Sequence, residues 1–225
     1  AEDVGMTTKD MEYINMETEH VVGIPESYGG GGDPSPVTAY GVYVGMKAAA
    51  KQAYGNDDLS GKKILVQGAG NVGGFLVDHL IADGAEVMIA DIFEDKIKKV
   101  LADHPSVKVV DPKNVTALAM DIYAPCALGA TLNDHSIPNL KCQIVAGAAN
   151  NQLAKEEIHG KMLLDRGIIY APDFLINAGC LINCYSELEG YNRERAFQGA
   201  EGIYTTTEQV LNRSLETGKP SHQIA

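Results

Sequence analysis

A glycine-rich turn is the strongest sign of chemistry in this 225-residue sequence. It reads Gly68-Ala69-Gly70-Asn71-Val72-Gly73-Gly74 and follows Lys63–Gln67, an apolar run with the length of a strand. In a strand-to-helix turn of this kind, the first glycine permits the bend, the second leaves room for a diphosphate, and the third lets helix and strand pack closely. Unpaired N–H groups at the start of the helix attract the anion. The turn therefore predicts a dinucleotide site.

A carboxylate stands where such a site needs one. Asp91 ends the next strand-like run, Glu86–Ala90, and Ile92 follows it. At this position a carboxylate accepts hydrogen bonds from the adenosine ribose, and it repels the 2′-phosphate of NADP. Because no arginine follows Asp91 directly, we predict NAD in preference to NADP. The alternative is a glycine-rich turn without a ligand, but the strand before it, the helix after it and the acid favour the dinucleotide.

Alternating elements must position this turn. Further strand-like runs lie at 107–110, 120–124, 142–146 and 168–171, and helical segments at 72–83 and 94–102 separate pairs of strands. Repeated strand, helix, strand predicts a parallel sheet, and continuously apolar strands predict helices on both of its faces. We predict an α/β fold, a doubly wound parallel sheet of the Rossmann type, with flanking helices over 37–54, 175–188 and 195–215. Gly41 and Gly45 share a face of the first of these helices, which predicts close approach of a sheet or a ligand.

Composition and charge exclude several classes of protein. Acidic residues outnumber basic ones by 30 to 18, a net charge of −12, so phosphate backbones and anionic lipids would be repelled. The sequence has no apolar run near the ~18 residues of a membrane span. Four cysteines and the absence of a secretory pattern at residue 1 favour a soluble cytoplasmic protein. Cys180 and Cys184 with His135 or His159 could form a zinc site, but without a second close pair we favour buried thiols and no metal.

Five ordered segments resemble one protein family. They lie at 33–42, in the glycine turn, and at 124–129, 147–153 and 170–179. In this order they resemble the cofactor-binding half of the glutamate/leucine/phenylalanine/valine dehydrogenases, closest to the leucine-type members. The resemblance implies an NAD-binding domain at 36–225 and a segment at 1–35 from the junction with a substrate domain. It also implies reversible oxidative deamination of an L-amino acid, in which hydride passes to the nicotinamide and a 2-oxo acid and ammonia form.

The resemblance further implies roles for individual residues. Asp3 matches the family's catalytic aspartate, a general acid–base worth roughly 10²–10⁴-fold in rate. Thr38 matches a residue that holds the nicotinamide carboxamide, with Asn71 nearby in the turn. Independently of any family, open parallel sheets bind ligands at the carboxyl ends of their strands. We therefore expect cofactor contacts from Cys126, Ala127, Asn150 and Asn151.

Three residues are expected to face the substrate. Asn151 is a candidate for contacting the substrate carboxylate or the nicotinamide ribose. Leu181 and Cys184 match apolar positions that line the family's side-chain pocket, and such a lining suits a branched aliphatic amino acid such as leucine. It would reject glutamate, whose carboxylate would be buried without a partner. The alternative is that Leu181 and Cys184 are ordinary helix core. The preferred branched-chain amino acid stays open, because pockets separate one methylene by only ~1–3 kcal/mol.

Two departures from the family pattern matter. Cys180 stands where a second glycine commonly follows Asn177-Ala178-Gly179, which changes the local turn or the approach to the substrate. The lysine-bearing Gly-Gly-Gly-Lys segment has no match. We therefore expect NAD binding without turnover from this chain alone, and a homo-oligomer for the full-length enzyme.

Two other functional classes remain open. One is a non-catalytic dinucleotide-binding module, and the other is a Rossmann oxidoreductase with a different substrate. Asp3 and the pair Asn150-Asn151 favour the dehydrogenase over the first. The second lacks an evident His/Asp or Tyr/Lys pair.

Overall fold

A single parallel sheet forms the centre of the molecule. The computed structural model describes residue 1 and residues 5–225. Six strands follow the order β3-β2-β1-β4-β5-β6, which is the dinucleotide-binding order of a doubly wound sheet. The predicted α/β fold is therefore confirmed. The strands are β1 (Lys63–Gln67), β2 (Glu86–Ala90), β3 (Lys108–Val109), β4 (Ile122–Pro125), β5 (Ile144–Val145) and β6 (Ile169–Tyr170).

Strand order reverses at β1, which places the candidate site. Gln67, the last residue of β1, lies between Ala90 of β2 and Pro125 of β4. The chain leaves β1 toward β2 and β3, then returns to β4 on the other side of β1. In doubly wound sheets, ligands bind at such a reversal, outside the carboxyl ends of the strands, here β1 and β4.

Helices cover both faces of the sheet. Ile64 and Val66 belong to a buried cluster with the helices at 35–54, 71–82 and 193–217 on one face, whereas Leu65 belongs to a second buried cluster that includes Leu163 of the helix at 156–165. Two-sided burial explains why the strands are continuously apolar in sequence. The helices are α1 (Thr8–Asn15), α2 (Ser35–Tyr54), α3 (Asn71–Ala82), α4 (Glu94–Asp103), α5 (Glu156–Asp165), α6 (Asp173–Ile176), α7 (Gly179–Leu188) and α8 (Arg193–Thr217). None of these described helices is long and apolar enough to cross a membrane.

The two glycines of α2 do approach other elements closely. A Cβ added to Gly41 would lie 2.7 Å from Ile203 Cδ1 and 2.9 Å from the Ile176 carbonyl oxygen. A Cβ on Gly45 would overlap the Ile176 side chain. The predicted close approach to this glycine face is therefore found, and the elements that make it are α6 and α8 rather than a strand.

The helical segment predicted over 175–188 is interrupted once. The chain forms α6 and α7, with Asn177 and Ala178 between them. Asn177 Nδ2 donates to the Ala148 carbonyl oxygen at 3.1 Å, which ties this break to the loop after β5. Gly179 lies so close to α2 that a Cβ there would stand 2.7 Å from Thr38 Cα. These contacts fix where α7 begins.

Candidate functional site

The glycine turn closes between β1, α3 and the loop after β4. Gly68 has a φ of +108°, which favours glycine, and a Cβ there would lie 2.7 Å from the Ala127 nitrogen. A Cβ on Gly73 would overlap the Gly68 carbonyl oxygen. Both positions therefore need glycine for the turn itself to form.

Gly70 serves a different purpose. It caps α3 without a side chain, and a Cβ there would have only Lys96 Nζ within 4 Å, at 3.9 Å. The backbone would therefore accept a methyl group, yet the sequence leaves this space open. The N–H groups of the first turn of α3, including those of Asn71 and Val72, have no intrahelical acceptor. An open cradle beside unpaired N–H groups fits an anionic diphosphate.

Asp91 holds the turn in place. Its carboxylate accepts hydrogen bonds from the Ala69 N–H at 2.7 Å and the Phe93 N–H at 2.9 Å. The sequence indicated a ribose contact and missed this structural role, which connects the end of β2 to the turn after β1. Each carboxylate oxygen has a second lone pair, so the geometry leaves Asp91 able to accept from a ribose hydroxyl as well. Ile92 beside it is exposed.

Cys126 and Ala127 meet the turn from β4. The Cys126 sulfur accepts a hydrogen bond from the Ala148 N–H at 3.5 Å. Burial raises the pKa of the Cys126 thiol to about 12, so it stays protonated near neutral pH and is a poor nucleophile. Its role is to join the loops after β4 and β5.

Asn150 and Asn151 lie in the loop after β5. The Asn151 carbonyl oxygen accepts from the Ala130 N–H at 2.7 Å, and Asn151 itself has a φ of +52°. Asn177 Nδ2 donates to Asn150 Oδ1 at 2.6 Å. The structure therefore brings Asn177 to this edge, although the sequence marked it only as part of a motif.

A buried pair supports the same loop from below. The fully buried Gln152 donates through Nε2 to the carbonyl oxygens of Gly147 at 2.8 Å and Ala149 at 3.0 Å. Its N–H donates to Asp173 Oδ2 at 2.9 Å. Gln152 and Asp173 thus fix the loop that carries the two asparagines, a role that the sequence does not indicate although both residues lie in the family-like segments.

Thr38 lies on the other side of this edge, on α2. Its side chain is buried, and Oγ1 donates to the Pro34 carbonyl oxygen at 2.9 Å. Because this hydrogen bond uses the proton of the hydroxyl, the oxygen is left as an acceptor, which suits the NH₂ of a carboxamide. The backbone of Gly179 packs directly against Thr38, so α2 and the start of α7 form one wall.

The expected substrate residues differ in exposure. Leu181 is 73% exposed, so it is not part of the helix core. Cys184 is half-buried, and a hydrogen bond with Cys180 together with burial raises the pKa of its thiol. Asp3 lies outside the described residues. Within residues 5–225, no group of three or more His, Cys, Asp or Glu side chains is arranged to hold a metal ion.

A carboxylate on α7 holds the segment that leads into α2. Glu187 Oε2 accepts from the N–H groups of Gly23 at 2.8 Å and Gly31 at 2.7 Å. We call residues 23–31 the clamped loop. Asn183, one turn earlier on α7, donates through Nδ2 to the Gly31 carbonyl oxygen at 3.4 Å. The helix with Leu181 and Cys184 is therefore coupled to the segment that precedes Thr38.

Comparisons with known proteins find similar sequences among the amino-acid dehydrogenases. The family model described as Glutamate/Leucine/Phenylalanine/Valine dehydrogenase matches residues 29–95 and 89–218. Leucine dehydrogenase from Bacillus cereus is 52% identical over 225 residues, which cover all of this chain and 61% of that protein.

Solved structures agree. The crystal structure of L-tryptophan dehydrogenase from Nostoc punctiforme superposes with a TM-score of 0.86 at 40% identity, covering 99% of this chain and 63% of that one. Hetero-hexameric glutamate dehydrogenase from Thermus thermophilus gives a TM-score of 0.78 at 21% identity, covering 99% of this chain and 59% of that one, and shows the shared fold alone. The chain thus spans about three fifths of the length of the relatives that it matches.

Proposed function

This chain belongs to the glutamate/leucine/phenylalanine/valine dehydrogenase family, and from that premise we propose that it supplies the NAD-binding half of a leucine-type dehydrogenase. The reaction is the oxidative deamination of a branched-chain aliphatic L-amino acid to a 2-oxo acid and ammonia. One observation carries the proposal: the open cradle at Gly70 and the asparagine loop after β5 lie on the same edge of the sheet.

The residues at this edge fit a nicotinamide dinucleotide. The turn from Gly68 to Gly74 would hold the diphosphate with its N–H groups, and Asp91 and Ile92 would hold the adenosine. Thr38 and Asn71 would orient the carboxamide, with Cys126, Ala127, Asn150 and Asn151 along the crevice. When bound, the nicotinamide ring accepts the hydride from the α-carbon of the amino acid. The Asp91 carboxylate favours NAD over NADP, since a 2′-phosphate would add negative charge beside it.

Residues of α7 would select the side chain of the substrate. Leu181 is exposed on this chain and would be covered once an aliphatic side chain and a substrate domain close over it. Cys184 follows one turn later and stays uncharged because its pKa is raised. Glutamate would place a carboxylate against this lining without a partner, at a penalty on the order of several kcal/mol. Asn151 would contact the substrate carboxylate or the nicotinamide ribose, and Asp3 would carry protons to and from the amino group.

Turnover would need residues beyond this chain. The family's lysine-bearing segment has no counterpart in the sequence, so we expect the 225-residue chain to bind NAD without dehydrogenating leucine. We also expect the whole enzyme to be a cytoplasmic homo-oligomer.

The test joins this chain to the lysine-bearing substrate domain of a leucine dehydrogenase in one polypeptide, and measures NADH formation with several amino acids. We expect turnover with leucine, valine and isoleucine, less with tryptophan, and little with glutamate. The chain alone should bind NAD and produce no NADH. NAD binding without turnover in the joined protein would favour a non-catalytic module, and a preference for glutamate would refute the role of α7.

A further inference from the structure

A cavity of about 250 Å³ opens beside the glycine turn, on the side of α4. Its lining includes Gly70 and Asn71 from the turn and Lys96 and Lys99 from α4. It therefore connects the proposed diphosphate cradle to a helix to which neither the motif nor the family resemblance assigned a role.

Lys96 is placed differently from the other lysines of α4. Its side chain is half-buried, and its Nζ lies 4.7 Å from the centre of the Phe93 ring. The same Nζ is 3.9 Å from the position of a Cβ on Gly70. None of the ion pairs among residues 5–225 involves Lys96, whereas the exposed Lys98 pairs with Glu94 at 3.6 Å. The Lys96 ammonium is therefore a positive charge at the cradle, and no described carboxylate pairs with it directly.

The charge around this cavity makes that cation significant. Asp78 pairs with His104 at 2.6 Å, and Asp33 Oδ1 accepts from the Ser35 N–H at 2.8 Å. Asp103 and Lys99 also line the cavity. Three carboxylates face two lysines here and the chain carries a net charge of −12, so an approaching diphosphate meets a field that is negative overall. The partial charge of the α3 terminus, about half an elementary charge, does not offset this alone.

We propose that Lys96 binds the diphosphate of the dinucleotide through its Nζ, from the side opposite the glycine turn. The assignment rests on the proposed function, because it presupposes that a dinucleotide binds here. Lys96 Nζ lies near Gly70, where the motif brings the diphosphate to the backbone, whereas the adenosine ribose is expected at Asp91. The expected ligand group is therefore the diphosphate and not the 2′-phosphate of NADP. A lysine ammonium suits this role as a compact charge that needs no fixed orientation.

Calorimetric titration of the chain with NAD, NADP and ADP-ribose tests the assignment. Lys96→Gln should weaken all three ligands by a similar factor of at least about ten, as expected for a lost contact between charged groups. Lys98→Gln removes the same net charge from the same helix and should change each Kd by less than about twofold. Lys96→Arg should retain most of the affinity. The unfolding midpoint of each variant shows whether the fold is kept.

Several results would overturn the assignment. If Lys96→Gln behaves like Lys98→Gln, Lys96 does not touch the ligand. If only NADP is weakened, Lys96 faces the 2′-phosphate instead. If Lys96→Arg binds as poorly as Lys96→Gln, charge is not what matters. If the wild-type chain binds none of the three ligands, both the proposed function and this inference are refuted. If the wild-type chain binds them and Lys96→Gln leaves each Kd unchanged, only the inference is refuted.

Discussion

Replacing Gly70 with alanine should weaken dinucleotide binding without disturbing the fold. The backbone of Gly70 has a φ of −73° and a ψ of −163°, which alanine adopts without strain. The added Cβ would have only Lys96 Nζ within 4 Å, at an ordinary contact distance of 3.9 Å. The effect on the free energy of unfolding should therefore stay within about 1 kcal/mol.

The cost to binding follows from the same geometry. The methyl group would occupy the space that lets the diphosphate reach the N–H groups of Asn71 and Val72. Forcing an extra methyl group into a close-packed contact costs about 1–3 kcal/mol. That range corresponds to a Kd for NAD weakened by about 5- to 150-fold.

Two companion variants make the assay specific. Gly73→Ala would push a Cβ into the Gly68 carbonyl oxygen, so it should lose stability and NAD binding together. Gly202→Ala, within α8, meets open space and should gain about 1 kcal/mol of stability without any change in Kd. Calorimetric titration gives the Kd, and urea unfolding gives the stability. A Gly70→Ala variant that binds NAD as tightly as the wild type, with unchanged stability, would refute the placement of the diphosphate.

Further predictions concern the carboxylates and a histidine. Asp91→Ser removes the acceptor of two N–H groups, so it should weaken NAD binding. It should also reduce the ratio of the Kd for NADP to the Kd for NAD, with both constants measured by titration. An increase in that ratio would contradict the role of the Asp91 charge. Glu187→Gln should lower the unfolding free energy by about 1.5 kcal/mol or more and expose the clamped loop to proteolysis, whereas the exposed Glu189→Gln should do neither. Burial lowers the pKa of His79, which stacks on Tyr43, so the unfolded chain takes up the proton first as pH falls below about 6.5. The unfolding free energy should therefore decrease from about pH 7 to about pH 5.5, and His79→Gln should reduce that decrease; an equal slope in the variant would count against this origin.

Local patterns predicted the elements that hold the cofactor site. The first two strands lie where the apolar runs placed them, at Lys63–Gln67 and Glu86–Ala90, because the interior positions of strands covered on both faces are continuously apolar. The glycine turn was equally readable from its spacing, because Gly68 and Gly73 answer local steric requirements and Gly70 leaves the space that the motif keeps for a diphosphate.

Elements with weaker local signals were missed. No helix was predicted at α1, because apolar residues are sparse there, although Thr7 and Asp10 form a capping pair in which the Thr7 N–H donates to Asp10 at 2.8 Å. The apolar run over 175–188 hid the break at Asn177, because that break depends on a hydrogen bond to Ala148 in a distant loop.

Contacts between distant segments were out of reach for any local pattern. Glu187 joins Gly23 and Gly31 across more than 150 positions of sequence, and the sequence shows only a glutamate on a helix. The same holds for Lys96, whose position beside Gly70 depends on how α4 packs against the turn. Side chains that position a site through tertiary contacts can be identified only from the structure.

A titration of the ¹⁵N-labelled chain with NAD, followed by amide NMR, tests the central claim most directly. We expect saturable shifts that are largest for the N–H groups of Gly70, Asn71, Val72 and Gly73, with smaller shifts at Asn150 and Asn151. An absence of saturable shifts, or shifts that cluster away from the carboxyl edge of the sheet, would contradict it.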